Sequence, residues 1–153
     1  MSLRDYLDSF HQAIGKIDDY GFAESIAIKE ETRPSKQAII NAKIDLIDGS
    51  VVQIRVYIDG KYKIDIISYA YQYHDANGKL IFRYDNACHK PELGFEDHHY
   101  LSDGSIVQSS MPDIFDVVDE VIHTMSPSKR PVFVSDERDK PYGSSSVSMR
   151  QGQ

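Results

Sequence analysis

Cysteine is nearly missing from this chain: Cys88 stands alone among 153 residues. A single thiol cannot close an internal disulfide, and it excludes a zinc site built on a Cys-x-x-Cys pair. Long apolar runs are missing as well; none approaches the roughly 18 residues of a membrane span. The N-terminal MSLRDYLDSF carries acids and no long apolar core, so it does not read as a secretion signal. Together these absences point to a reducing, cytoplasmic setting. Three patterns that bind phosphate or present a nucleophile are absent too: GxxxxGK(S/T), GxGxxG after a strand, and GxSxG.

The charge that is present is mostly negative, with a net of −7. It is unevenly spread. Residues 124–153 carry five basic and three acidic side chains, so they are net +2 and residues 1–123 are net −9. A body this acidic repels nucleic acid at long range and suits a basic protein partner. A local basic patch can still hold a phosphate.

The hydrophobic pattern predicts an α+β fold in a single domain over residues 1–124. Leu3, Tyr6, Leu7, Phe10, Ile14 and Ile17 recur at helical spacing, with Ser2 as N-cap, Asp5 three residues on and Gly21 as the stop. From Phe22 the period changes to two. Ala38, Ile40, Ala42, Ile44 and Leu46 alternate with polar residues, as do Val52, Ile54, Val56 and Ile58. DGS, DGK and DANG separate the runs, so neighbouring strands should pair antiparallel as a meander of about five to six strands. The run from Tyr62 to His74 breaks parity near Ile66–Ile67, which predicts a bulge. YLSDGSIVQ suggests a small further hairpin. A second helix is expected from Ser110 as N-cap, with Pro112 in the first turn and an apolar stripe from Ile114 to Met125. Residues 125–153 are rich in Ser and Pro and read as a polar, flexible tail. Its PVFV stretch is short for a strand that adds to a partner.

Chemistry concentrates in RYDNACHKPELGFEDHHY, Arg83 to Tyr100, which holds His89, His98 and His99. On an extended strand Arg83 and Asp85 point to one face. Histidine takes or gives protons near neutral pH, so two of them can divide the work of RNA cleavage. One removes the 2′-hydroxyl proton, the other protonates the leaving 5′-oxygen, and Arg83 or Lys90 balances charge on phosphorus. The candidate site is therefore Arg83, Asp85, His89, His98 and His99. The scheme needs no cofactor and no metal. Two alternatives stay open: a metal site from Asp85, His89, His98 and His99, and a merely solvated loop closed by turn formers at Asp85–Asn86. Irregular spacing and the opposite directions of neighbouring His98 and His99 count against metal. Tyr69, Tyr71 and Tyr73 fit either a half-buried sheet face or a platform for bases.

YQYHDANGKLIFRYDNACHKPEL resembles the TumE family, toxin components of bacterial toxin–antitoxin pairs. The pattern is Tyr-x-Tyr-His, then Gly-(Lys/Arg)-Leu-x-Phe-Arg-Tyr-Asp-Asn-Ala, then Pro-His-His-Pro and Phe-Pro-His-His-Lys-His. Tyr71, Tyr73, His74, Arg83, Tyr84, Asp85, Asn86, His89, His98 and His99 are among the matches, and the layout agrees from Tyr6 to about Ile122. Cys88 replaces a proline, Lys90 a histidine, and in FEDHHY Tyr100 stands at the final histidine. The resemblance implies a growth-inhibiting toxin whose partner is a DNA-binding antitoxin. RNA as the substrate follows by analogy with other small toxins. A non-catalytic protein-binding module and a metal-dependent hydrolase are the rival functions. No membrane is implied, and an oligomer is compatible with the chain.

Overall fold

The computed structural model describes residues 1–88 and 93–126. In chain order the elements are α1 (Leu3–Asp19), β1 (Ala23–Arg33), β2 (Gln37–Leu46), β3 (Val51–Asp59), β4 (Asp65–His74), β5 (Leu80–Asp85), β6 (His98–Leu101), β7 (Ile106–Gln108) and α2 (Ile114–Met125). The seven strands lie side by side in sequence order, each antiparallel to the next. The α+β meander is as expected, with more strands than the five or six anticipated. The extra pair is the hairpin around Asp103–Gly104, which joins the sheet through β5. Residues 1–122 form one compact unit and residues 123–153 another. The tail expected over 125–153, with its PVFV stretch, lies outside the described residues apart from Met125 and Ser126. Among the described residues no helix is long and apolar enough to cross a membrane.

Local rules set the helix ends. The Ser2 hydroxyl accepts from the Asp5 backbone N–H and the Asp5 carboxylate accepts from that of Ser2, a reciprocal cap. Gly21, at φ 77°, ends α1: its N–H donates to Asp18 O, and that of Phe22 to Ile17 O. Such a turn needs the left-handed backbone that glycine adopts without strain. The start of α2 differs from expectation. The Asp113 carbonyl accepts the first helical bond, from Val117, and its N–H donates to the Asp116 carboxylate. Asp113 is therefore the cap, and Ser110 and Pro112 precede the helix.

One face of the sheet carries the core. Ile40, Ile44, Leu46, Val52, Val56, Ile58, Tyr71, Tyr73 and Phe82 are buried there, as are Leu7, Phe10, Ile14 and Ile17 of α1 and Val117, Val118 and Val121 of α2. Lys16 of α1 donates to Asp119 of α2 at 2.7 Å, and Tyr84 of β5 to Glu120 at 3.1 Å, so both helices lie on that side. The other face carries the residues of opposite parity. The predicted bulge is present: Tyr57 pairs with Ser68 but Ile58 with Ile66, leaving Ile67 as the extra residue. Tyr69, Tyr71 and Tyr73 are 4%, 0% and 1% exposed, so they are core residues and offer no platform for bases.

The Tyr71 hydroxyl is buried with no hydrogen-bond partner among the described residues. An unmade bond on a buried polar group costs about 1–3 kcal/mol. Tyr71→Phe is therefore expected to unfold at the same or a higher urea concentration than the parent. A clear drop in the denaturation midpoint would show that the hydroxyl is satisfied.

Candidate functional site

Alternation puts Arg83 and Asp85 of β5 on the helix-free face, and the register places Tyr100 and His98 of β6 beside them. Asp85 is 2% exposed, which is costly for a carboxylate unless it is fully bonded. It is. Oδ2 accepts from Arg83 Nε at 2.7 Å. Oδ1 faces His98 Nδ1 at 3.2 Å and accepts from the Ala87 backbone N–H at 3.3 Å. Tyr100 of β6, paired with Arg83, lies near enough to feel this carboxylate's charge. Burial and the Asp85 charge raise the Tyr100 phenol above its ordinary range, against the opposing pull of Arg83.

Arg83 is held twice. Besides Asp85, it donates from Nη1 to Gln72 Oε1 at 2.7 Å, and it lies 6.0 Å from the Tyr100 ring centre. The guanidinium carries five N–H donors, so most remain for a ligand. Its side chain is 32% exposed, against 3% for Asp85.

His98 is 3% exposed and sits between two oxygens. Nδ1 faces the Asp85 carboxylate, and Nε2 lies 2.8 Å from the Phe95 carbonyl. A carbonyl accepts and cannot donate, and so does an ionised carboxylate. Both contacts are therefore satisfied together when both ring nitrogens carry protons. The end of β5 is closed by Asn86, whose side chain accepts from Tyr69 N at 3.0 Å and donates to Ile67 O at 3.3 Å. Asp85 bonds its own downstream backbone as a turn former does, while Asn86 extends the ladder to β4.

The five expected site residues thus fall into three groups. Arg83, Asp85 and His98 form one cluster. His99 points to the helix-bearing face and stacks on Tyr84, with ring centres 4.2 Å apart and planes 17° apart. His89, like Lys90, lies outside the described residues. The neighbouring histidines do point opposite ways. Among the described residues no group of three or more His, Cys, Asp or Glu side chains could hold a metal ion.

The profile of the family described as toxin TumE matches residues 14–128. The chain belongs to the TumE toxin family. No curated protein and no solved structure matches it.

In this TumE member, sequence reading alone missed three contributors. Gln72 became visible only through the β4–β5 register, which sets it opposite Arg83. Tyr100 could have been found from its spacing, two residues beyond His98 on a strand. His74, a match to the family pattern left out of the candidate site, lies on the helix-free face two residues beyond Gln72. Its Nδ1 is 3.3 Å from the Asp75 carbonyl, to which it can only donate.

Removing the hub carboxylate strips Arg83 and His98 of a shared partner. Asp85→Ala is expected to cost about 3–5 kcal/mol, the usual loss when one member of a buried ion pair is deleted. Urea unfolding measures this, and a loss below about 1 kcal/mol would show that Asp85 is not the hub.

Proposed function

We propose that this TumE member is the toxin of a type II-like toxin–antitoxin pair, and that it acts on RNA with Arg83 as the group that meets phosphate. One observation carries the reading. A guanidinium is locked by Asp85 and Gln72 on the helix-free face, with donors to spare, and the same carboxylate faces the His98 imidazole. A preorganised cation of this kind stabilises charge that builds on a phosphoryl group.

The reaction that fits is metal-free cleavage. The RNA 2′-hydroxyl oxygen attacks phosphorus and the P–O5′ bond breaks, leaving a 2′,3′-cyclic phosphate and a 5′-hydroxyl. A base takes the 2′-hydroxyl proton and an acid protonates the 5′-oxygen. A doubly protonated His98 suits the acid, once substrate oxygen replaces the Phe95 carbonyl at Nε2. His74 Nε2 suits the base, as does His89, assigned to this work from sequence. A second reading is inhibition by binding RNA without cutting it. The occupied nitrogens of His98 favour that one. In either case an antitoxin partner goes with a toxin family, and the net charge of −9 on residues 1–123 suits a basic, DNA-binding antitoxin.

The test is induction of the protein alone, following growth and total RNA over time for the parent, Arg83→Ala, His74→Gln and His89→Ala. The parent is expected to arrest growth as RNA breaks down. Arg83→Ala, with unchanged circular dichroism, is expected to slow cleavage about 100-fold or more and relieve the arrest. Arrest with intact RNA would select the binding reading. Undiminished toxicity of Arg83→Ala would overturn the role given to Arg83 in either reading.

A further inference from the structure

The helix-free face carries a feature that the Arg83 cluster does not use. A trough of about 730 Å³ crosses the sheet from β1 to β5. Its walls carry four cations, Lys29, Lys43, Arg55 and Arg83, and no carboxylate among the lining residues. That composition runs against the chain, which has 24 acidic side chains to 17 basic ones.

Strand pairing explains how the cations meet. Lys29, Asn41, Arg55 and Ala70 are successive register partners, forming one row across the sheet. Ala27, Lys43, Gln53, Gln72 and Arg83 form the adjacent row. Both rows face away from the helices. With strands about 4.8 Å apart, the cations extend over roughly 19 Å. Ala27 and Ala70 leave space between the long side chains.

Three of the cations lack a close ion pair, and Arg83 keeps donors beyond those given to Asp85 and Gln72. Among the described residues Lys29 and Arg55 have no carboxylate within ion-pair distance, and Arg55 donates to the Asn41 side chain at 3.2 Å. Lys43 lies 3.8 Å from Asp45, both substantially exposed, and a surface pair at that length holds weakly. Asn41, Gln53 and Gln72 add amides that both donate and accept.

We infer that this trough binds single-stranded RNA, laid across β1 to β5 with its phosphates on the four cations. The inference rests on the RNA reading above and extends it from one arginine to a substrate track. Amides between cations favour unpaired bases, whose hydrogen-bonding edges are free, over a duplex, whose bases are already paired. They also favour nucleic acid over an acidic peptide, whose carboxylates use the cations and leave the amides idle. No lining residue is aromatic, so stacking contributes little and charge dominates. Binding is therefore sequence-tolerant and salt-dependent.

The experiment titrates the purified full chain into a fluorescently labelled single-stranded RNA oligonucleotide of mixed sequence, with anisotropy as the readout. Parallel arms use the same RNA as a duplex and a polyglutamate peptide. The variant is Lys43→Ala with Arg55→Ala, both exposed and both outside the Arg83 cluster, with folding checked by urea denaturation. Three or four phosphate contacts predict that log K falls with log salt at a slope of about −2 to −3. The double variant is expected to bind about tenfold more weakly or worse at low salt and to show a shallower slope. Equal binding by parent and variant overturns the trough, as does preference for the duplex or the peptide. RNA breakdown on induction, with no such binding, sinks the trough while leaving the Arg83 reading standing. Binding that depends on Lys43 and Arg55, with full toxicity in Arg83→Ala, does the reverse.

Discussion

Asp85 is a carboxylate taken out of water at the end of β5, and the outer third of the sheet is arranged around it. A charge in that position is tolerated when paired and fully hydrogen-bonded. Arg83, His98 and its own downstream backbone meet the demand. The consequences reach beyond the carboxylate. β6 has four residues, HHYL, with no apolar alternation to hold it in register. Its pairing with β5 is supported by side chains that converge on Asp85. The same bonds fix the direction of Arg83, which Gln72 then holds from the β4 side. A single buried oxygen pair thus links a marginal strand to the placement of the cation that gives the face its chemistry.

The second constraint is that both helices cover the same side. Apolar residues of one parity are drawn to that side, and polar residues of the other parity remain on the bare one. Antiparallel pairing then gathers those leftovers into rows. Lys43 faces Gln53, and Gln53 faces Gln72, because each strand begins after a short turn that sets its register. Many of the acids sit elsewhere. Asp5, Asp8, Asp18 and Asp19 are on α1, Asp116 and Asp119 on α2, and Asp48, Asp75 and Asp103 in turns. A strongly acidic chain can therefore present a cationic trough, since net charge sets the distant field and local register sets what a bound phosphate meets.

How much of this the sequence showed depends on the range of the deciding interaction. The Ser2–Asp5 cap, the stop at Gly21, the alternation of β2 and β3 and the bulge at Ile67 are decided by neighbours in the chain, and all were legible. So was the shared face of Arg83 and Asp85. The start of α2 was misplaced by three residues because Ser110 and Asp113 are both good caps, and backbone geometry selects Asp113. The β6–β7 hairpin was legible in YLSDGSIVQ, but the pairing of β6 with β5 was obscure because it is supported by a contact between Asp85 and His98, 13 residues apart. The trough was invisible as a unit. The outward residues Asn41, Lys43, Gln53 and Arg55 could be read strand by strand, but their meeting needs several registers at once. His74 matched the family pattern but was not counted in the site, because only the β4–β5 pairing brings its strand beside Arg83.

His98 limits the chemistry in a specific way. An imidazole between a carboxylate and a carbonyl is satisfied at both nitrogens when it holds two protons. In that state it has a proton to give and no lone pair with which to take one. RNA cleavage on this face would therefore place His98 on the leaving-group side and draw its base from elsewhere. Tyr100, standing where the family pattern has a histidine, adds no base, because burial and the Asp85 charge keep its phenol protonated. His99 is turned to the helices and stacked on Tyr84. Among the described residues of this face, His74 is a further imidazole, its Nδ1 3.3 Å from the Asp75 carbonyl. It lies along β4 from Gln72, the residue that steadies Arg83. The register sets Asp85 between His98 and Ala70, so His74 lies four residues along β4 from the His98 row, with Arg83 on a row between them.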